Sequence, residues 1–86
     1  MPTISMFYGI FIRMYFNDHA PPHFHARYGE SEATIDIETR AVIEGELPGR
    51  ALKLVTEWAI IHKEQLLEDW RLCRENMPPE KIEPLP

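Results

Sequence analysis

The chain has 86 residues, a formal net charge of -5 and 44% hydrophobic residues, so it is one small globular domain with a thin core, not a disordered segment. A single cysteine, Cys73, excludes an internal disulfide and suits a reducing cytoplasm. The negative charge excludes broad, nonspecific phosphate binding. The excess lies in residues 31–86, while residues 1–30 balance Arg13 and Arg27 against Asp18 and Glu30 and leave room for a small anion site.

The start, MPTISMFYGIFIRMYF, is apolar but is no secretory signal. It lacks a basic leader, and Arg13 interrupts the run. No apolar run is long enough to span a membrane, so a soluble, cytoplasmic protein is expected. Residues 9–16 read as a strand, with Ile10, Ile12 and Met14 alternating against Phe11, Arg13 and Tyr15. Residues 23–28 read as a second, with Phe24, Ala26 and Tyr28 on one face and His23, His25 and Arg27 on the other. Residues 32–38 alternate most cleanly, Ala33, Ile35 and Ile37 against Thr34, Asp36 and Glu38. Gly29-Glu30-Ser31 closes a hairpin before them. Residues 41–46 give a fourth strand.

Pro48 suits a helix's first turn, and 49–75 contain no proline. Ala51, Val55, Trp58, His62, Leu66 and Cys73 fall on one stripe, with the charged residues facing away. The stretch is one long helix or a broken one. Trp58 and Trp70 read as core aromatics, Cys73 as an inert buried thiol, and His62 as a core histidine with a satisfied hydrogen bond. The expected fold is α+β: a small antiparallel sheet of three or four strands packed by that C-terminal helix. Residues 1–76 form the domain. Residues 77–86, MPPEKIEPLP, are a proline-rich extended tail whose Ile82 and Leu85 could clip onto this protein or onto a partner.

Three of the four histidines crowd into NDHAPPHFHARYGE. His23 and His25 are i and i+2 on a strand, so their rings share a side. Three readings stay open. In the first they are ordinary residues of a half-buried strand, bonded to Asp36 or Glu38. In the second His23, His25, Arg27 and Asp36 form an acid/base site, with Arg13 and Tyr15 as binding residues. That is the equipment of a metal-independent RNA-cleaving enzyme. In the third His19, His23 and His25 hold one zinc-like divalent metal, with Asp18 as a further ligand or as a support. The first two readings need no cofactor. Pro21-Pro22 stiffens the approach to His23. Ile60 and Leu67, seven residues apart on the outward helix face, form a small apolar patch. With Ile82 and Leu85 they are the candidate protein-binding residues.

The blocks FYGI, IRMYFNDH, PPHFHA, IDIET and VIEG, then ALKLV, EW and the helical His, Glu, Leu and Trp, resemble the domain-of-unknown-function family 4160. PPHFHA, Pro21 to Ala26, is the most specific part. The resemblance implies an α+β domain in a bacterial protein. It also implies a small cognate protein encoded nearby, in a pair of toxin–antitoxin type. It supplies no catalytic residues. Such sequences favour glycine after Glu38-Thr39, where this chain has Arg40, which argues against a tight turn there. The leading expectation is therefore one component of such a pair, acting through a protein partner. The RNA-cleaving enzyme and the metal-binding module are the alternatives.

Overall fold

The computed structural model describes residues 2–86. Five strands form one antiparallel sheet in chain order: β1 Thr3–Phe7, β2 Ile10–Arg13, β3 His23–Tyr28, β4 Ser31–Asp36 and β5 Val42–Gly45. Two helices follow, α1 Gly49–Ile61 and α2 Lys63–Arg74. The α+β class is as expected and the C-terminal helix takes the broken form, but the sheet has five strands, not three or four.

The additional strand is β1. Its hairpin to β2 turns on two residues, Tyr8 and Gly9, both at positive φ (51° and 79°) between the paired Phe7 and Ile10. Positive φ at both central residues is the two-residue turn that matches strand twist. Tyrosine is an unusual first residue for it, so the sequence reads there as one continuous apolar start. The β3–β4 hairpin turns on Gly29, φ 61°, and pairs Tyr28 with Ser31. β4 ends at Asp36, short of the expected 38, because the Asp36 carboxylate accepts the Glu38 and Thr39 N–H groups at 2.7 and 2.9 Å and bends the chain. Arg40 then sits at φ 61° and its N–H donates to the Asp36 carbonyl oxygen. The tight turn forms despite the missing glycine.

The sheet's inner face supplies Ile10, Ile12, Phe24, Ala26, Ala33 and Ile35, all at most 1% exposed. Trp58 of α1 is fully buried against them, its ring 5.4 Å from Phe7 and 5.9 Å from Phe24. The helices part at His62, φ -111° and ψ 27°. His62 is half-buried, its Nδ1 2.6 Å from Gln65 Oε1 and its ring 5.6 Å from Trp58. Because of this break, Ile60 and Leu67 do not share one helix face. Ile60 is 56% exposed, while Leu67 packs partly against the core. α2 ends with Asn76 at φ 60°, Met77 N–H bonded to Leu72 O and Asn76 N–H to Cys73 O, a Schellman closure. Cys73 is buried, and burial pushes its thiol up.

Residues 77–86 run extended along the domain's own surface. Ile82 enters the core at 5% exposure, its N–H donating to Ile4 O at 2.8 Å. Trp58 Nε1 donates to Glu83 O at 2.8 Å, and Tyr8 Oη to Pro86 O at 2.6 Å. The tail therefore clips onto its own domain. Ile82 is taken up by the core instead of being offered to a partner, and Leu85 is half-buried against the same core. Among the described residues no helix is long and apolar enough to cross a membrane.

Candidate metal centre

The site lies at the end of the sheet where the β2–β3 connection doubles back over the outer face. The connection is tied to α2 by Asn17 N–H donating to Cys73 O at 3.1 Å. It then presents Asp18, passes a cis Ala20–Pro21 peptide and enters β3 at His23.

Asp18, His23 and His25 form a cluster whose nitrogen and oxygen donor atoms all lie within 4.8 Å of one another. His23 Nε2 is 2.8 Å from Asp18 Oδ2, and His25 Nε2 is 3.5 Å from the same oxygen. The far nitrogens are held as well: His23 Nδ1 is 2.7 Å from Pro21 O, and His25 Nδ1 is 3.3 Å from Thr34 Oγ1. A carbonyl oxygen only accepts, so His23 Nδ1 carries a hydrogen and its Nε2 is the atom turned to Asp18. His25 Nε2 is sealed from solvent and has no hydrogen-bond partner among the described residues. The side chains are 8% (His23), 15% (His25) and 17% (Asp18) exposed. Aromatic rings wall the cluster: Trp70 of α2 lies 5.0 Å from His23, and Tyr15 lies 4.3 Å from His25.

Burial opposes ionisation of Asp18, but the bond to His23 and the His19 N–H outweigh it and hold the carboxyl below its ordinary value. Burial lowers the His25 imidazole, against the pull of Asp18, so its neutral form is favoured. Burial and the nearby Glu32 push Tyr15 up. The result is an ionised carboxylate beside a neutral imidazole, both in the protonation state that metal ligands need.

The residues expected from sequence are placed unevenly. His23 and His25 come together. His19 is 94% exposed at the rim, with Nδ1 3.5 Å from Asp18 Oδ1, so the third inner donor is Asp18. Asp36 lies opposite His23 in register, but its carboxylate is occupied by the turn that follows. Arg27 points to the hairpin, its Nε donating to Gly29 O at 3.0 Å. The quartet His23, His25, Arg27 and Asp36 is therefore not assembled. Trp70 and Thr34 join the site with no sequence signal beyond Thr34 sharing the histidines' face.

The cluster opens into a shallow pocket of about 180 Å³ that also touches His19, Thr34, Ile43 and Glu44. A larger pocket of about 330 Å³, between Tyr8, Tyr28, Arg50 and Leu54, has neither histidine nor carboxylate in its lining.

Fold and site together define a small α+β domain with a two-histidine, one-carboxylate cluster on the outer face of its sheet. Residues 9–71 match the family described as Domain of unknown function (DUF4160), and the chain belongs to that family. The match includes the whole histidine cluster. No curated protein and no solved structure matches the chain.

Proposed function

We propose that this chain is a metal-binding domain in which Asp18, His23 and His25 hold one divalent ion of the zinc class. One observation carries the reading: two Nε2 atoms and one carboxylate oxygen converge while each far nitrogen is held by a neighbour. Outer partners that orient imidazoles are the usual support of metal-binding histidines. Zinc bonds of ~2.0–2.1 Å place tetrahedral donors roughly 3.4 Å apart, so movements of under ~1 Å would seat an ion here. An ion would also give the sealed His25 Nε2 the partner it lacks. Three protein donors leave coordination open, the pattern of sites that do chemistry. The metal-free RNA-cleaving alternative draws less support, since Arg27 and Asp36 are engaged elsewhere.

The test is a zinc titration of chelator-treated protein, read by intact mass under native conditions. One ion per chain is expected. It should be lost in Asp18→Asn and His25→Ala and kept in His19→Ala. Failure to take up an ion, or uptake indifferent to Asp18→Asn, would overturn the reading.

A second reading, one component of a toxin–antitoxin pair, is favoured by Ile60 and Ile61, exposed side by side at 56% and 64%. Ile60→Asp with Ile61→Asp should abolish a complex with a small protein encoded nearby. A complex that survives would remove this support.

A further inference from the structure

A second, acidic pocket lies between α2 and the extended tail. It measures about 200 Å³ and is lined by Glu64, Glu68 and Asp69 of α2 and by Glu80, Lys81 and Ile82 of the tail. None of these residues belongs to the histidine cluster. Glu64 and Glu68 are i and i+4, so they neighbour each other on the helix surface. Glu68 is held by Arg71, at 2.6 and 3.1 Å. Glu64, Glu80 and Lys81 make no ion pair among the described residues. Lys81 therefore leaves the negative charge of the pocket standing.

Asp69 gives the pocket its chemistry. It is 2% exposed, and its Oδ1 accepts the Glu80 N–H at 2.9 Å, while Oδ2 has no hydrogen-bond partner among the described residues. A buried carboxylate oxygen without a donor is costly. Burial and the charges of Glu80 and Glu68 push the carboxyl up to about 6, and only the Glu80 N–H opposes them, so no cation of the chain serves it. A metal ion suits these carboxylates poorly. Among the described residues only Asp18, His23 and His25 bring three donor atoms within 4.8 Å of one another. Acceptors spread around a pocket suit an ammonium, which donates three hydrogen bonds. Ile82, 5% exposed, supplies an apolar wall for an alkyl stem. A small turn of the Asp69 side chain would present Oδ2 to the pocket it already lines.

We infer that this pocket binds a primary alkyl ammonium group. The ammonium donates to Asp69 Oδ2 and to Glu64 or Glu80, and its stem lies along Ile82. The group is the end of a free amine or of a lysine side chain, and the ligands below tell the two apart.

The test is calorimetric titration of butylamine, Nα-acetyl-lysine amide and butanol into the full chain. A pH of ~8 keeps Asp69 and the ammonium ionised, and ~0.15 M salt screens attraction to the net charge. At least one amine should saturate a single site per chain, and butanol should not bind. Asp69→Asn keeps an acceptor for the Glu80 N–H and should weaken the amine about tenfold or more. Glu80→Gln, at an exposed residue, should weaken it about threefold and carries the test if Asp69→Asn melts early. Glu57→Gln removes an exposed carboxylate of α1 outside the pocket and should change nothing. Thermal melting of each variant separates lost contacts from lost fold. Binding of butylamine without the lysine derivative assigns the site to free amines, and tighter binding of the lysine derivative assigns it to a lysine side chain. No saturable binding of either amine overturns the inference. So does affinity that survives Asp69→Asn, or that falls equally in Glu57→Gln.

Discussion

His23 faces Asp18 Oδ2 through Nε2 at 2.8 Å while its Nδ1 donates to the Pro21 carbonyl oxygen at 2.7 Å. Asp18→Ala removes the acceptor and leaves a nearly buried imidazole nitrogen unpaired. Losing a charged hydrogen bond of this kind costs about 1.5–3 kcal/mol. Urea unfolding at neutral pH with chelator present should show that loss in Asp18→Ala. A smaller loss is expected in Asp18→Asn, whose amide can donate to Nε2. An alanine variant as stable as the parent would mean that the contact holds nothing together.

A second carboxylate is buried with less support. Asp69 is 2% exposed; its Oδ1 accepts the Glu80 N–H at 2.9 Å, and its Oδ2 has no partner. Burial pushes its carboxyl up to about 6, the Glu80 N–H opposing and the charges of Glu80 and Glu68 adding. The folded value lies above the ordinary 3.8, so between the two the folded chain keeps a proton that the unfolded chain has released. This group's contribution is therefore most favourable below the ordinary value, falls as pH rises to about 6, and is level above that. Asp69→Asn keeps an acceptor for Glu80 and removes the charge. It should gain on the order of 1 kcal/mol at pH ~7 and almost nothing at pH ~4. Thermal melts at the two pH values check this, and a gain equal at both would refute it.

What could be read in the sequence follows from what is local. The alternation of Ala33, Ile35 and Ile37 and the i, i+2 spacing of His23 and His25 are properties of strands, and the structure keeps both. β1 is not legible in the sequence because Tyr8 occupies a turn position that tyrosine seldom fills. Arg27 and Asp36 were drawn from the site by short-range bonds, to Gly29 O and to the Glu38 and Thr39 N–H groups. An aspartate two residues before a bend is a recognisable turn signal, so the loss of Asp36 was legible. Trp70 against His23, and Ile82 in the core, depend on how helices and tail return to the sheet, which no local pattern encodes.

The tail's contacts make truncation a test of fold instead of partner binding. Removing residues 78–86 empties the Ile82 site and leaves the Trp58 indole N–H without its acceptor, Glu83 O. An unpaired buried donor costs about 1–3 kcal/mol, and a buried isoleucine contributes about 1.5–3 more. For a domain this small that is a large part of the total stability. The truncated chain should unfold at much lower urea, and Ile82→Ala alone should cost about 2–4 kcal/mol. A truncated chain with the parent's midpoint would return the tail to the role of a free docking segment.

Two positive-φ positions flank β5 and should respond oppositely to substitution. Arg40, at φ 61°, holds a left-handed conformation that strains a side-chain-bearing residue, and it lies in an exposed turn. Arg40→Gly should stabilise the domain by about 0.5–1 kcal/mol, less whatever the Arg40 Nη1 bond to Glu38 O supplies. Gly45, at φ 76°, has the reverse geometry: a Cβ there would collide with the Glu32 carbonyl oxygen, a backbone atom of β4 that cannot step aside. Gly45→Ala combines that clash with left-handed strain, so a loss above ~1 kcal/mol is expected. β5 joins the sheet only through β4 and is exposed along its length, so the damage should first show as loss of amide protection in residues 42–45. Hydrogen exchange on both variants decides the matter. If Gly45→Ala protects β5 as well as the parent does, the edge strand is looser than this packing implies.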